Sequence, residues 1–283
     1  LVQSETVWQI DFYRRPLCDR SGEMLWELIV CSDRGEAIAT EWCPQSQAGS
    51  QWLTEQLQQA IARANTPPDR LQLFRPQCQS LVEVAGKNLD LPVAPTRRTI
   101  ALKKHLRDRA QNYPQMSEYT GDAYDPLALD RPPPVPVPDE YQGETWQFAS
   151  VPASEIELAF VERPIPIRET PEFLLPIHLG VGSTQAIGGV VIYGGRQSMR
   201  LARWLQEIRP VCLNYIPGDP DGIILEAGLT DRWVLQTFED PEVKQAAKTF
   251  QRRAQQAKGL HFLLVQPDDS GMTYSGVWLL QPA

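Results

Sequence analysis

Val7-Trp8-Gln9-Ile10-Asp11-Phe12-Tyr13-Arg14-Arg15 decides the reading of the N-terminal half. Trp8, Ile10 and Phe12 share one face of an extended chain, and Gln9, Asp11 and Tyr13 share the other, which is the period of a strand. Outward from this strand, Asp19-Arg-Ser-Gly22 and Ser32-Asp-Arg-Gly35 introduce two further strands, Met24–Cys31 and Ala37–Cys43. Two short Gly-bearing connections between apolar runs predict a three-stranded meander. Ser50 opens a helix to about Ala64, with Leu53, Leu57, Ala60 and Ile61 at helical spacing, and Thr66-Pro-Pro-Asp69 ends it. A strand over Arg70–Arg75, a helix over 77–88, a short extended piece at 91–95 and a basic helix over 99–112 complete the series.

Three strands, then a helix, strand, helix, strand and helix, is an order that resembles the ribonuclease H-like topology. Nucleases of that fold hold two metals between carboxylates, one of them at the middle of the first strand. Asp11 sits there, Glu55 lies in the first helix and Asp108 in the last. The acid expected near the end of the fourth strand is missing: Leu71-Gln-Leu-Phe-Arg-Pro76 puts Arg75 in its place. A metal-dependent nuclease using Asp11 and Glu55 is therefore an alternative reading, and the ordinary one pairs Asp11 with Arg14, Arg15 or a base on a neighbouring strand. No catalytic residue, metal site or cofactor is expected.

The chain of 283 residues is long enough for two domains and, at 42% hydrophobic residues, rich enough to bury two cores. Its formal charge of −8 argues against coating nucleic acid by bulk positive charge. That charge is local, however. Residues 118–157 hold nine acids and one base, Arg131, so the rest of the chain balances. Within this acidic stretch Arg131-Pro-Pro-Pro-Val-Pro-Val-Pro138 favours extended polyproline II and reads as a stiff spacer or a docking motif. The expected organisation is an N-terminal α/β domain over 1–115, an acidic Pro-rich linker over 116–155 and a C-terminal α/β domain over 156–283. The fold class is α/β with two mixed-sheet domains.

In the C-terminal part Phe173–Ile177 and Gly189–Tyr193 read as strands around a Gly-rich loop, too interrupted to span a membrane. Gln197–Ile208 reads as a helix. Val211–Ile216, Ile223–Glu226 and Trp233–Phe238 read as strands, the first two joined by the turn Pro217-Gly-Asp-Pro-Asp-Gly222. A helix from Glu242 to about Lys258 and strands His261–Gln266 and Gly276–Leu280 close the chain. Five cysteines form no CxxC pair, and with three scattered histidines no zinc spacing exists. The thiols are expected free, in a reducing compartment. Val190-Val-Ile-Tyr-Gly-Gly195 before a helix lacks the Walker Lys and the full GxGxxG, so it reads as a tight turn.

Bases cluster on helical faces. Arg97, Arg98, Lys103, Lys104, Arg107 and Arg109 stand against one acid, Asp108; Arg196, Arg200 and Arg203 recur at i, i+4 and i+7; Lys244, Lys248 and Arg252 recur at i, i+4 and i+8. Any one of these can be solvated surface. Three together raise the expectation of phosphate contacts.

Two end motifs carry a resemblance. Trp8-Gln-Ile-Asp-Phe-Tyr-Arg-Arg-Pro16, followed by Asp19, Gly22 and Trp26-Glu-Leu28, resembles the opening signature of the TAB/ATAB family, with Asp11 and Pro16 in the motif. Gly276-Val-Trp-Leu-Leu280 is similar to its closing Trp278-Leu279-Leu280 tripeptide, and Arg196-Gln-Ser-Met-Arg-Leu-Ala-Arg-Trp204 is similar in kind. The resemblance spans nearly the whole chain. It implies an RNA-binding protein that supports translation or biogenesis of photosystem I, and of photosystem II components, in an oxygenic phototroph. It implies no enzyme activity. The implied partners are single-stranded messenger RNA of photosystem subunits and other photosystem-biogenesis proteins, and the alternative to RNA binding or nuclease chemistry is an interaction scaffold in photosystem assembly. A chain that begins at the signature fits the cytoplasm of a cyanobacterium, or the stroma for a trimmed plastid member. Single-stranded RNA is held by stacking and phosphate contacts. The residues expected to supply them are Tyr13, Arg14, Arg15, Arg75, Arg97, Arg98, Lys103, Lys104 and Arg200. Trp278, in a final strand, suits a core position as well as a stacking platform.

Overall fold

The alternation around Asp11 builds β1 (Val7–Cys18), three residues longer than the sequence predicts. In the computed structural model, which describes residues 5–64 and 66–282, β1 is the middle strand of a five-stranded sheet. With β2 (Met24–Ser32), β3 (Ala37–Pro44), β4 (Arg70–Leu73) and β5 (Val93–Pro95), the order is β3-β2-β1-β4-β5. The first three strands form an antiparallel meander, and β4 and β5 run parallel to β1. Both faces of β1 are buried because helices cover both. Trp52 of α1 (Ser50–Ala64) stacks on Phe12 at 5.2 Å. Ala101, Leu102 and Leu106 of α3 (Ile100–Ala110) pack with Ile29, Cys31 and Phe74 on the other face. Between them α2 (Pro76–Asn88) starts on Pro76, whose fixed φ suits a first helical turn. Leu102 N donates to Gln9 Oε1 at 3.0 Å, which fixes the start of α3 on the polar face of β1.

The chain divides into two compact units, Leu1–Asp130 and Arg131–Ala283. The stretch expected as a linker over 116–155 is shared between them. Cys18 N donates to Glu118 O and Thr120 N to Pro16 O, and Leu127 and Leu129 pack on the α3 side of the first core. Apolar and hydrogen-bonding residues thus hold this acidic segment on the first unit. In the second unit β6 (Val135–Pro136) is a two-residue strand beside β12 (Asp231–Phe238), and β7 (Thr145–Pro152) pairs along its length with β9 (Ala186–Tyr193). The Pro-rich run is short enough to supply an edge strand without spoiling a ladder.

The second unit has two sheets. One runs β10 (Pro210–Ile216), β11 (Asp221–Ala227), β12 (Asp231–Phe238), β6. The other runs β7, β9 (Ala186–Tyr193), β13 (His261–Gln266), β14 (Gly276–Leu280), β8 (Ile167–Glu169). Two helices, α5 (Ser198–Ile208) and α6 (Pro241–Gln256), complete a core of Val190, Ile192, Leu205, Leu213, Ile223, Leu225, Phe250 and Leu263. Asp240 caps α6, its Oδ1 accepting from Glu242 N and Val243 N. Gly189 is required where Phe262 crosses it: a Cβ there would lie 2.4 Å from the ring. Phe173–Ile177 is not the strand its composition suggests. Pro171 and Pro176 break it into a 3₁₀ turn, Glu172–Leu174, and a one-turn helix, α4 (Pro176–Leu179). No helix among the described residues is long and apolar enough to cross a membrane.

Candidate nucleic-acid interface

Pairing of β1 with β2 sets Tyr13 opposite Glu27 and Asp11 opposite Ile29. Residues 11, 13 and 15 of β1 and Glu27 of β2 therefore stand on the same face, the one α3 covers. Four charged side chains meet there out of water. Arg15 donates through one terminal nitrogen to Asp11 Oδ2 at 2.8 Å and through Nε to Glu27 Oε2 at 2.8 Å. Arg75, just beyond β4, donates through Nε to Asp11 Oδ1 at 2.7 Å. Tyr113, after α3, donates to Glu27 Oε2 at 2.6 Å, and Arg109 of α3 pairs with Glu27 Oε1. Burial pushes the Asp11 carboxyl up, but the Arg75 and Arg15 guanidiniums outweigh it and hold Asp11 below the ordinary carboxylate value. Burial likewise opposes the charge on Arg15, and Asp11 with Glu27 overcomes it, so the guanidinium stays protonated.

Two guanidiniums thus occupy both oxygens of the Asp11 carboxylate. Glu55 is exposed on α1, where Gln51 donates to it, and Asp108 is exposed on α3. Neither joins Asp11 in any group of three metal-ligating side chains among the described residues. The pairing of Asp11 with Arg15 is the ordinary reading of the sequence, and Arg75 adds a second bond to the same carboxylate. Glu27 and Tyr113 belong to the same network, and Arg109, one of the bases of the α3 face, turns inward to join it. Glu27 was within reach of sequence reasoning, because the Asp19–Gly22 turn places it across from Tyr13.

Above this network lies a cleft of about 570 Å³, lined by Tyr13, Arg14, Arg75, Tyr124, Asp125 and Asp130 among others. Tyr13 is half-buried and Arg14 exposed. The Arg75 guanidinium sits 4.4 Å from the Tyr13 ring centre and that of Arg14 5.8 Å from it, both within cation–π range. Trp26 meets the same ring edge-on at 5.8 Å. Segment 122–130 closes one side: Pro126 O and Ala128 O accept from the terminal nitrogens of Arg75 at 2.7 and 3.2 Å, and Tyr124 Oη accepts from Arg15 at 3.1 Å. Burial pushes the Tyr124 and Tyr113 hydroxyls up, so both remain protonated donors.

The other expected contacts are dispersed. Arg97 is buried and Arg98 half-buried in the turn before α3, and burial lowers the Arg98 pKa. Lys103 Nζ donates to Arg97 O at 2.6 Å and lies 5.5 Å from the Phe74 ring centre. Lys104 is exposed. Arg15 and Arg75 are almost wholly buried, and their nitrogens serve Asp11, Glu27, Tyr124 and segment 126–128, so they line the cleft without offering it a free guanidinium. In the second unit Arg200 is exposed on α5, its guanidinium 5.3 Å from the Tyr141 ring, which itself stacks on Trp204 at 5.1 Å. Trp278, Leu279 and Leu280 are core residues of β14 with 2 to 3% exposure. Trp278 packs over Gly276, where a Cβ would lie 2.6 Å from the indole. The Gly194-Gly195 turn leads into α5 through a 3₁₀ turn, and Asp221 accepts from Gly218 N and Tyr215 Oη within its own turn. Burial raises the thiols of Cys31 and Cys78 to about 12 and that of Cys43 to about 11, which keeps them unreactive.

These features define a two-unit α/β protein whose first sheet buries an ion-pair core beneath a cleft lined by aromatic, arginine and aspartate side chains. Residues 7–109 match the N-terminal domain of the RNA-binding protein Tab2/Atab2, and residues 124–281 match its C-terminal domain. The chain belongs to the Tab2/Atab2 family of RNA-binding proteins. It is 27% identical to a chloroplastic TAB2 homolog of Zea mays, over 96% of this chain and 70% of that protein. A chloroplastic TAB2 homolog of Arabidopsis thaliana is 26% identical over 96% and 74%. Among solved structures, the magnesium-bound HTLV-2 integrase catalytic core is similar over 38% of this chain and 72% of that one, at 13% identity and a TM-score of 0.26. A simian T-cell lymphotropic virus intasome chain is similar over 52% and 63%, at 13% and 0.27. Scores at this level carry no argument about this chain.

Proposed function

We infer that this protein binds single-stranded RNA at the cleft over Tyr13 and Arg14, and thereby supports translation or biogenesis of photosystem I, and of photosystem II components. The supporting observation is the half-buried Tyr13 ring in the lining of the cleft, with the Arg75 guanidinium 4.4 Å and the exposed Arg14 guanidinium 5.8 Å from its centre. A ring braced in this way loses little freedom when a base stacks on it, and Arg14 is free to meet the adjoining phosphate. Lys104 and Arg98 extend the positive surface of the same unit, with Arg97 and Lys103 bracing the turn between them. Arg200 offers a second contact on the other unit. In this reading the strand order β3-β2-β1-β4-β5 is ribonuclease H-like, with the strand-one carboxylate of Asp11 tied into ion pairs with Arg15 and Arg75. The nuclease reading that uses Asp11 and Glu55 has less support, because two guanidiniums hold Asp11. The site of action is the cytoplasm of a cyanobacterium or the chloroplast stroma, beside other photosystem-biogenesis proteins. Labelled single-stranded RNA titrated with the pure protein at several salt concentrations tests this. The expected result is affinity that falls with salt and a slope made shallower by Arg14→Ala; affinity indifferent to salt and to Arg14 would refute it.

A further inference from the structure

The outer edge of β7 lacks the usual protections of an exposed strand. Residues 145–152, Thr-Trp-Gln-Phe-Ala-Ser-Val-Pro, carry no charge, and their register with β9 runs without a bulge from Thr145 to Pro152. Natural edges are blunted by charged side chains, Pro, bulges, brevity or a covering segment; in β7 the one such residue, Pro152, stands at the last position and leaves 145–151 open. The other edges follow that rule. The edge strands β5, β6 and β8 are two or three residues long, and β3 carries Glu41. The uncharged edge β10 is covered: Leu213 N donates to His261 Nε2, and Gln281 N donates to Val211 O.

A groove follows β7 on the side of α6. It consists of two successive hollows. One, of about 530 Å³, lies between Trp146, Phe148, Phe238 and Glu242; the other, of about 440 Å³, lies between Phe148, Ser150, Thr249 and Arg253. Their spacing is two residues of strand, roughly 7 Å, which is the repeat of same-face side chains on an added strand. The two elements run in the same direction, so the groove has Glu242 at its Trp146 end and Arg253 at its Ser150 end. Neither side chain has an ion-pair partner among the described residues.

We propose that β7 pairs antiparallel with β7 of a second copy of this chain. A two-fold axis through Phe148 sets Trp146 opposite Ser150 of the other copy. Each Trp146 then enters the hollow at its partner's Ser150, beside its partner's Arg253, and the indole meets a guanidinium face. The same axis brings Glu242 of one copy to the end of the groove that carries the other copy's Arg253. The interface is isologous and closes at two copies, as a symmetric dimer requires. A sheet of five strands becomes one of ten. An unrelated extended peptide would fill the hollows without matching both charged ends, which is why the occupant is a second copy.

Light scattering of the full chain across a concentration series tests this. It should give twice the 32.0 kDa protomer mass. Ser150→Lys, a change at an exposed position, should return the protomer mass while circular dichroism and Tm stay as in the wild type. Arg253→Glu should weaken the dimer, and Glu242→Arg added to it should restore the dimer. Wild-type protein that keeps the protomer mass throughout would overturn the proposal. So would a dimer indifferent to Ser150→Lys, or an Arg253→Glu defect that Glu242→Arg leaves uncorrected.

Discussion

Arg75 Nε donates to Asp11 Oδ1 at 2.7 Å, with both side chains out of water. The bond joins the middle of the first strand to the turn between the fourth strand and α2. Breaking a buried pair by removing one member costs up to about 3–5 kcal/mol, and less where a second partner remains, as Arg15 remains for Asp11. Arg75→Ala, which leaves Asp11 with Arg15 alone, should destabilise the first unit by about 1–3 kcal/mol in urea unfolding. Asp11→Asn should cost more, since it takes an ion pair from both Arg15, which keeps Glu27, and Arg75, which keeps only the Pro126 and Ala128 carbonyls. A cost under about 1 kcal/mol for both would show that water reaches the pair.

The segment carrying Asp122, Asp125 and Asp130 lies along the cleft, with its carbonyls on Arg75. Three carboxylates at the rim repel incoming phosphates over the Debye length, about 10 Å at 0.1 M salt. Replacing all three by Asn should raise RNA affinity at low salt and leave it nearly unchanged at high salt. Filter binding at two ionic strengths reads the difference. Equal affinity of wild type and triple variant at low salt would place the RNA elsewhere.

Much of the first unit was legible because its signals are local. Alternation in β1, Gly22 and Gly35 in the turns and the helical spacing of Leu53, Leu57 and Ala60 each follow from neighbours in sequence. The site was less legible because its partners are distant. Whether Arg15 faces solvent or core depends on Glu27 across the hairpin, Tyr113 after α3 and Tyr124 in the acidic segment. Composition alone marked 116–155 as a spacer. Leu127 and Leu129, two apolar side chains among many acids, suffice to seat part of it on a core. At Phe173–Ile177 the apolar content outweighed Pro171 and Pro176, although the prolines decide the backbone.

Stacking and charge can be separated at Tyr13. Base–aromatic stacking contributes about 1–3 kcal/mol per base and carries little charge. Tyr13→Ala should lower RNA affinity by roughly 5- to 150-fold, from that range at about 1.4 kcal/mol per tenfold, and leave the salt slope as it was. Arg97→Ala with Arg98→Ala tests the other end of the surface. Each phosphate that is no longer neutralised should change the slope by about 0.7. Because Arg97 is buried, the double variant must also be checked for a lowered Tm. Loss of stability with unchanged binding would make the pair structural.

His261 gives the second unit a pH limit of its own. The ring is buried, Nε2 accepts from Leu213 N at 2.8 Å and Nδ1 donates to Gly259 O at 2.8 Å. Both bonds require the neutral ring protonated on Nδ1. Burial lowers the pKa from 6.5 to about 4, against a smaller opposing effect of the Gly259 carbonyl. Between those values the unfolded chain binds a proton that the folded chain does not, so stability rises with pH across the interval. It should be level above about pH 6.5 and decline as pH falls towards about 4, by on the order of 3 kcal/mol in all. Asp11, whose pKa is lowered, contributes at lower pH still, where its own proton returns. Urea unfolding of wild type and His261→Gln at about pH 7.5, 5.5 and 4.5, conditions set around that window (about 4 to 6.5), separates the two. The variant should start less stable and lose less between the first and last conditions. Parallel declines in the two proteins would assign the slope to the carboxylates and leave His261 without a part in it.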